Sequence, residues 1–273
     1  MLDSATTALR PFSGQAERTF SLHYFILARR PARRLLAWLW LLALAGVVLV
    51  ACGGVDEPAA TAVPSATPTA KQMLDRASQR LAATEALRFN LTVDGETYVD
   101  TPRTIRLLGA EGDIQRPDRV HTTFTAQVLR SATVTIQLIA VGDQTWTTNI
   151  LTGAWGPAPP EFEYRPFMLF DNDTGIGPAM RSVTDVQMLD AEDISGRPTL
   201  RVRALVDGAL IAPLTAYTMT GSPVTVDLWI DRKTADLLRA RLAEPRRDND
   251  APGATWTLDL SKHGEPVTIE PPV

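Results

Sequence analysis

The chain has 273 residues, with 27 basic and 31 acidic side chains and a formal net charge of −4. After Ala51 there are 21 basic and 29 acidic residues, a net charge of −8, which argues against a nucleic-acid partner because a phosphate binder needs a basic patch. One cysteine, Cys52, excludes an internal disulfide and any cysteine-based metal site.

Residues 1–28 carry no clear periodicity and do not read as part of a signal; an internal start near Leu22 or Leu27 is expected to give a signal of ordinary length. Arg29, Arg30, Arg33 and Arg34 then precede an apolar run of 16 residues, Leu35 to Val50. A positive flank, a hydrophobic core and small residues before a cut make a secretory signal. A twin-arginine signal fits the flanking residues poorly. Sixteen apolar residues are short for a bilayer span, which needs about 20, so a plain transmembrane anchor is the rival reading. Leu49-Val50-Ala51 before Cys52 resembles the bacterial lipobox. That resemblance implies a diacylglycerol on the Cys52 sulfur, a new N-terminus at Cys52, and attachment to the extracytoplasmic face of the cell membrane. Charge-driven docking on anionic headgroups is disfavoured, so the lipid must hold the chain, and two acyl chains hold stably where one does not.

Gly53 to Thr69 has no aromatic residue and two valines, so it cannot form a core. As a flexible tether it would reach roughly 20 Å. A helix is predicted over Ala70 to Leu87, with Met73, Leu74, Ala77, Leu81 and Ala82 on one stripe and Thr69 as N-cap.

The period then switches to two. Phe89, Leu91 and Val93 alternate with polar residues. So do Val120, Phe124, Ala126 and Val128, then Ala132, Val134, Ile136, Leu138 and Ala140. Later come Leu200, Val202 and Ala204; Val224, Val226, Leu228 and Ile230; Leu238, Ala240 and Leu242; and Trp256, Leu258 and Leu260. Strict alternation predicts antiparallel strands with one wet and one covered face. Nine to eleven such strands are enough to curl into a barrel or half-barrel.

Two segments interrupt the series. Gly153 to Ser182 is proline-rich and leads to a short helix predicted from about Asp173. Asp207 to Met219 is apolar almost all round, with Pro213 limiting its length; such a helix must be buried or line something apolar.

This order of elements resembles the LppX/LprAFG lipoprotein family. The resemblance is carried by Ala86-Leu-Arg-Phe-Asn-Leu-Thr-Val-Asp-Gly95 at the helix exit and by Leu169-Phe-Asp-Asn-Asp-Thr-Gly175 at the start of the second helix. Val224-Thr-Val-Asp-Leu-Trp-Ile-Asp231 before the final hairpin and Leu258 to Pro272 at the end complete it. It covers about Thr69 to Pro272, while Leu151 to Phe167 is longer and richer in aromatics than the family pattern. It implies an α+β fold: a curved antiparallel half-barrel sheet, helices over its concave face and an apolar cavity between, as in the carriers LolA and LolB. The chain then divides into an extension and signal (1–51), an acylated cysteine and tether (52–69) and one lipid-binding domain (70–273). The resemblance implies binding of acyl-chain lipids or glycolipids, with movement within the cell envelope. No enzymatic activity and no cofactor are implied. A lipid exporter in the membrane is a candidate partner, and the chain is expected to act as a monomer.

Patterning alone favours closure of the covered faces as an ordinary core, which would make a non-carrier sensor or assembly module; the resemblance favours the cavity. On the cavity reading the lining residues are Phe89, Leu91, Phe124, Val128, Val134, Ile136, Leu138, Leu200, Val202, Leu210, Val226, Leu228 and Leu258. Thr123, Thr133, Thr135, Arg201, Arg203, Asp227 and Asp259 then face water. Phe162, Tyr164, Phe167, Met168 and Phe170 cluster beside the prolines, as a cavity mouth or as a loop pinned by its aromatics. Asp171 to Gly175 resembles the start of a calcium loop, but the glycine comes one position early and Ser182 stands where a glutamate is needed; a helix N-cap explains it better. Asn90-Leu-Thr92 matches a glycosylation sequon, of little meaning in a bacterium. His121 and His263 have no nucleophile elbow or zinc-binding pair beside them, and no metal site or catalytic set is expected.

Overall fold

A computed structural model describes residues 68–100, 102–128, 131–159, 166–221, 223–245 and 253–272. The signal, the lipobox residues Leu49, Val50 and Ala51, Cys52 and most of the tether lie outside the described residues, as do Phe162 and Tyr164.

The first element, α1, runs Ala70–Ala82. Thr69 caps it: its hydroxyl accepts from Gln72 N at 3.2 Å, and Gln72 Oε1 accepts from Thr69 N at 2.9 Å, which satisfies two otherwise orphan donors. The helix stops five residues short of Leu87. Thr84 is β-branched and turns its hydroxyl onto Arg80 O (2.9 Å), and Arg116 donates to Thr84 O (2.8 Å) and Leu81 O (3.1 Å). The terminal carbonyls are thus closed by a cation, and Leu87 becomes strand.

Eleven strands follow among the described residues. They are β1 (Ala86–Asp94), β2 (Ile105–Gln115), β3 (Arg119–Val128), β4 (Ala132–Val141), β5 (Gln144–Thr148), β6 (Trp155–Pro157), β7 (Thr184–Ile194), β8 (Arg197–Val206), β9 (Val224–Asp231), β10 (Leu237–Ala243) and β11 (Thr255–Ser261). They form one open, curved antiparallel sheet in the order β6-β5-β4-β3-β2-β1-β11-β10-β9-β8-β7. Each half is a meander. The halves join where the first strand pairs with the last, with Leu91 opposite Leu258. The segment between β6 and β7 carries the chain from one edge of the sheet to the other. It contains a 3-10 turn at Pro166–Phe170 and a helix α2 at Ile176–Arg181. One core cluster includes Met73, Leu74, Ala77 and Leu81 of α1, Phe170, Met180 of α2, and the sheet residues Phe89, Leu138, Val202 and Leu228. Among the described residues no helix is long and apolar enough to cross a membrane.

Three expectations need correction. Asp171 does not cap α2. It folds its own loop, with Oδ1 accepting from Asp173 N (2.9 Å) and Thr174 N (2.7 Å), and the N-cap is Gly175, which has no side chain to offer. The Asp207–Met219 segment is not one helix, although its inner side faces the apolar interior as expected. Asp207 caps a single turn, α3 (Gly208–Ile211), and Pro213 opens a 3-10 turn, Pro213–Thr215. Leu210 and Tyr217 are exposed while Ile211 and Leu214 are buried, because one turn has too few residues to hide its outer side. Finally, Asp227 points away from the core as expected but is buried. Arg203 donates to it at 2.7 and 2.9 Å and Arg201 at 2.6 Å, so two arginines of β8 replace water over the carboxylate.

Candidate binding pocket

Strand register aligns side chains on one face across neighbouring strands. One such row runs Phe124 (β3), Ala110 (β2), Leu91 (β1), Leu258 (β11), Ala240 (β10) and Leu228 (β9), each opposite the next. All six line an apolar pocket, together with Phe89, Val206, Val226, Leu242 and Trp256 of the sheet. Leu169, Ile176, Ala179, Met180 and Val183 contribute from the edge-to-edge crossing, and Ile211, Leu214 and Thr215 from the α3 segment. The cavity volume is about 100 Å3, enough for several waters at roughly 10–15 Å3 each.

The lining offers a ligand almost no polarity. Its one hydroxyl, Thr215 Oγ1, donates within its own turn, to Ile211 O at 3.1 Å. The indole N–H of Trp256 donates to Glu244 Oε1 at 3.0 Å. No charged side chain lines the pocket, so a polar or charged ligand group placed there would lose its hydration without a partner. Among the described residues no group of three or more His, Cys, Asp or Glu side chains could hold a metal ion.

Of the residues expected to line a cavity, the structure brings Phe89, Leu91, Phe124, Val226, Leu228 and Leu258 together here. The rest lie elsewhere. Ile136 and Val202 extend the same row, opposite Phe124 and Leu228, but beyond the pocket's ends. Leu138, Leu200 and Val202 are packed in the core. Val128 and Val134 are half-buried on β3 and β4, and Leu210 is exposed. Phe170, expected at the mouth, is buried against Phe89 with ring centroids 6.5 Å apart; Phe167 and Met168 are half-buried in the 3-10 turn.

Sequence reasoning missed Ala110, whose strand is broken up by Gly109 and Gly112. It also missed the residues of α2, though Ile176, Ala179 and Met180 recur at helical spacing, which was a usable signal.

Charge is concentrated away from the pocket, on the outer face of the sheet and in the turn before β10. Burial alone would push the Asp236 carboxyl up, but hydrogen bonds from Arg197 (2.8 Å), Arg80 (2.8 Å) and Thr234 (2.8 Å) outweigh it and hold it at about 2. Asp227 is likewise held low, its arginine hydrogen bonds outweighing burial. Trp229 lies beside them, buried with Ile194 and Leu238. Arg201 stacks on its ring at 4.8 Å, and its N–H donates to Glu192 at 2.8 Å.

No curated protein matches the chain by sequence. Among solved structures, LprF from Mycobacterium bovis is similar with a TM-score of 0.61 at 21% identity, over 76% of this chain and 98% of that one. LppX from Mycobacterium tuberculosis is similar with a TM-score of 0.54 at 14% identity, over 74% and 98%. A LolA superfamily protein from Nitrosomonas europaea is a much looser likeness, with a TM-score of 0.26 at 12% identity, over 72% and 93%. The first two likenesses establish the fold. The LppX_LprAFG lipoprotein model matches residues 69–269, from the cap of α1 to the tail beyond β11, and the chain belongs to that family.

Proposed function

We propose that this chain is a membrane-tethered carrier that shelters the acyl chains of a lipid or glycolipid between its sheet and the helical segments facing it, and moves them within the cell envelope. The observation that carries the reading is the pocket lining: 19 residues from both sides, with one hydroxyl that is already satisfied. Each methylene brought into water costs about 0.8 kcal/mol, so a sixteen-carbon chain costs on the order of 12 kcal/mol. A domain that covers the chain lowers that barrier to transfer. Membership of a lipoprotein family supports an anchor at Cys52, after Leu49-Val50-Ala51, on the extracytoplasmic face. The tether from Gly53 to Thr69 would then let one monomer reach between the bilayer and a lipid exporter or acceptor.

Native mass spectrometry of residues 69–273 should show co-purified acyl lipid. Repeated lipid-free preparations that also take up no fluorescent fatty-acyl probe would overturn carriage and favour a sensor or assembly module. The anchor is tested separately: Cys52→Ser should abolish metabolic labelling by a radiolabelled fatty acid, and labelling that persists would remove Cys52 as the acylated residue.

A further inference from the structure

The turn between β5 and β6 ends in two apolar side chains that are uncovered. Leu151 is 93% exposed and Ile150 54%. They are not on a loop free to fold back. Asn149 Oδ1 accepts from Leu151 N at 2.9 Å and Thr152 N at 3.0 Å. Asn149 N donates to Ala154 O, and Gly153 N donates to Asn149 O, both at 2.8 Å. Gly153 takes a φ of 70° to complete the reversal. These bonds fix the shape of the turn with both side chains uncovered.

The surrounding sequence is as unusual as the tip. Gln144 to Pro160 is 17 residues without Asp, Glu, Lys or Arg, in a chain that is 21% charged. Two half-buried tryptophans stand behind the tip, with Trp155 opposite Thr148 and Trp146 opposite Pro157. At about 3.4 Å per residue, Trp155 lies on the order of 10 Å behind Leu151. Aliphatic side chains outermost, tryptophan one step back and charge excluded is the order of a bilayer from hydrocarbon to headgroup. The depth suits interfacial insertion, which runs to about 5–10 Å.

We propose that the β5–β6 turn inserts into a lipid bilayer, with Ile150 and Leu151 among the acyl chains and Trp155 at headgroup level, so that the tethered domain docks in one orientation. A protein partner fits less well. A stable interface buries about 800 Å2 per partner, more than two side chains on a narrow tip supply, whereas hydrocarbon needs no complementary surface. The net charge of −8 after Ala51 gives the domain no general attraction to anionic headgroups, so apolar insertion is the available contact. The inference rests on the membrane attachment proposed for Cys52 and is independent of lipid carriage.

The test uses the purified full lipoprotein with Leu151→Cys. Acylation occupies the Cys52 sulfur, so the new thiol is the one free site for an environment-sensitive dye. In phosphatidylcholine–phosphatidylglycerol vesicles the dye should shift to the blue and escape aqueous iodide. The same dye at the exposed Glu265→Cys should stay quenchable. Equal quenching at the two sites would overturn the proposal. With the dye at Ile150→Cys, adding Leu151→Asp should abolish the shift while anchor-driven flotation with the vesicles is kept; protection that survives the aspartate would mean a protein contact and would overturn it too. Intact mass separates this from failure of the anchor, because a second dye on Cys52 marks an unacylated thiol. Flotation of that unanchored protein then reads the tip directly: it must fall with Leu151→Asp, and unchanged flotation overturns insertion.

Discussion

Asp236 ties three elements together, because Arg80 of α1 and Arg197 of β8 both converge on its carboxylate ahead of β10. Its folded pKa of about 2 lies below the ordinary aspartate value. The stability it contributes is therefore fully present above pH 4 and lost as pH falls toward 2. With both arginines partly in solvent, that contribution is roughly 1–2 kcal/mol. Urea unfolding of Asp236→Asn should show this loss at pH 7 and little difference from the parent at pH 2. His263 adds an earlier step: burial holds its pKa below the usual value, against the attraction of Asp236. Its contribution is present above the ordinary histidine pKa and declines as pH falls below it. The pocket gives a second residue-level prediction. Ala240→Trp projects into the lining and should displace lipid with the melting temperature largely kept. Val202→Trp sits on the same row outside the pocket, fully buried, and should overpack the core and cost roughly 1–3 kcal/mol. Melting temperature and bound lipid, measured together on both variants, distinguish a cavity from a filled core. Alternation made the inward face of these residues legible in the sequence. It could not reveal that Asp227 is covered, because the arginines that cover it sit on the neighbouring strand.

Elements with a regular period were legible, and those without were not. The sequences of β1, β3, β4, β8, β9 and β11 alternate, with the apolar set on the inward face, although β9 is covered on both faces. β10 alternates only from Leu238 onward in sequence. Its bulge between Leu237 and Arg239 turns Leu238 to the outer side, beside Trp229, against the shared face expected with Ala240 and Leu242. β2 does not, because glycines interrupt it for steric reasons. A Cβ on Gly109 would stand 2.5 Å from Leu91 O, and one on Gly112 would collide with the His121 carbonyl oxygen and stand 2.8 Å from Thr122 Cα. Gly112→Ala should therefore push β2 from β3 and destabilise the domain by about 1–3 kcal/mol, as overpacking does, read as a lower urea midpoint; an unchanged midpoint would mean the sheet can yield there. β7 was hidden for the opposite reason. It is an edge strand, exposed along nearly all its length, and carries Asp190, Glu192 and Asp193 where an unpaired edge needs charge. α1 ends at Ala82, short of what the propensity of residues 83–87 suggests, because Arg116 arrives from the β2–β3 turn to close the helix.

At the scale of the molecule, the sheet depends on the pairing of its first and last strands, seven residue pairs between β1 and β11. Without β11, β1 and β10 would both become raw edges and the pocket would lose Trp256 and Leu258. Deleting residues 255–273 should yield no cooperatively unfolding domain, and a sharp thermal transition in that fragment would show that the first meander folds alone. By itself the sequence determined the two-residue period of the main strands and, outside the bulge of β10 that turns Leu238 to the Trp229 side, the face of each that turns inward. These are local properties, set by residue chemistry and by the backbone's own repeat. Only the tertiary structure decided where along the inward face a pocket opens. The row from Ile136 to Val202 is apolar throughout, yet only its central six residues line the pocket, where the crossing and the α3 segment stand opposite. Packing against segments distant in sequence sets that boundary, and no periodicity within a strand carries it.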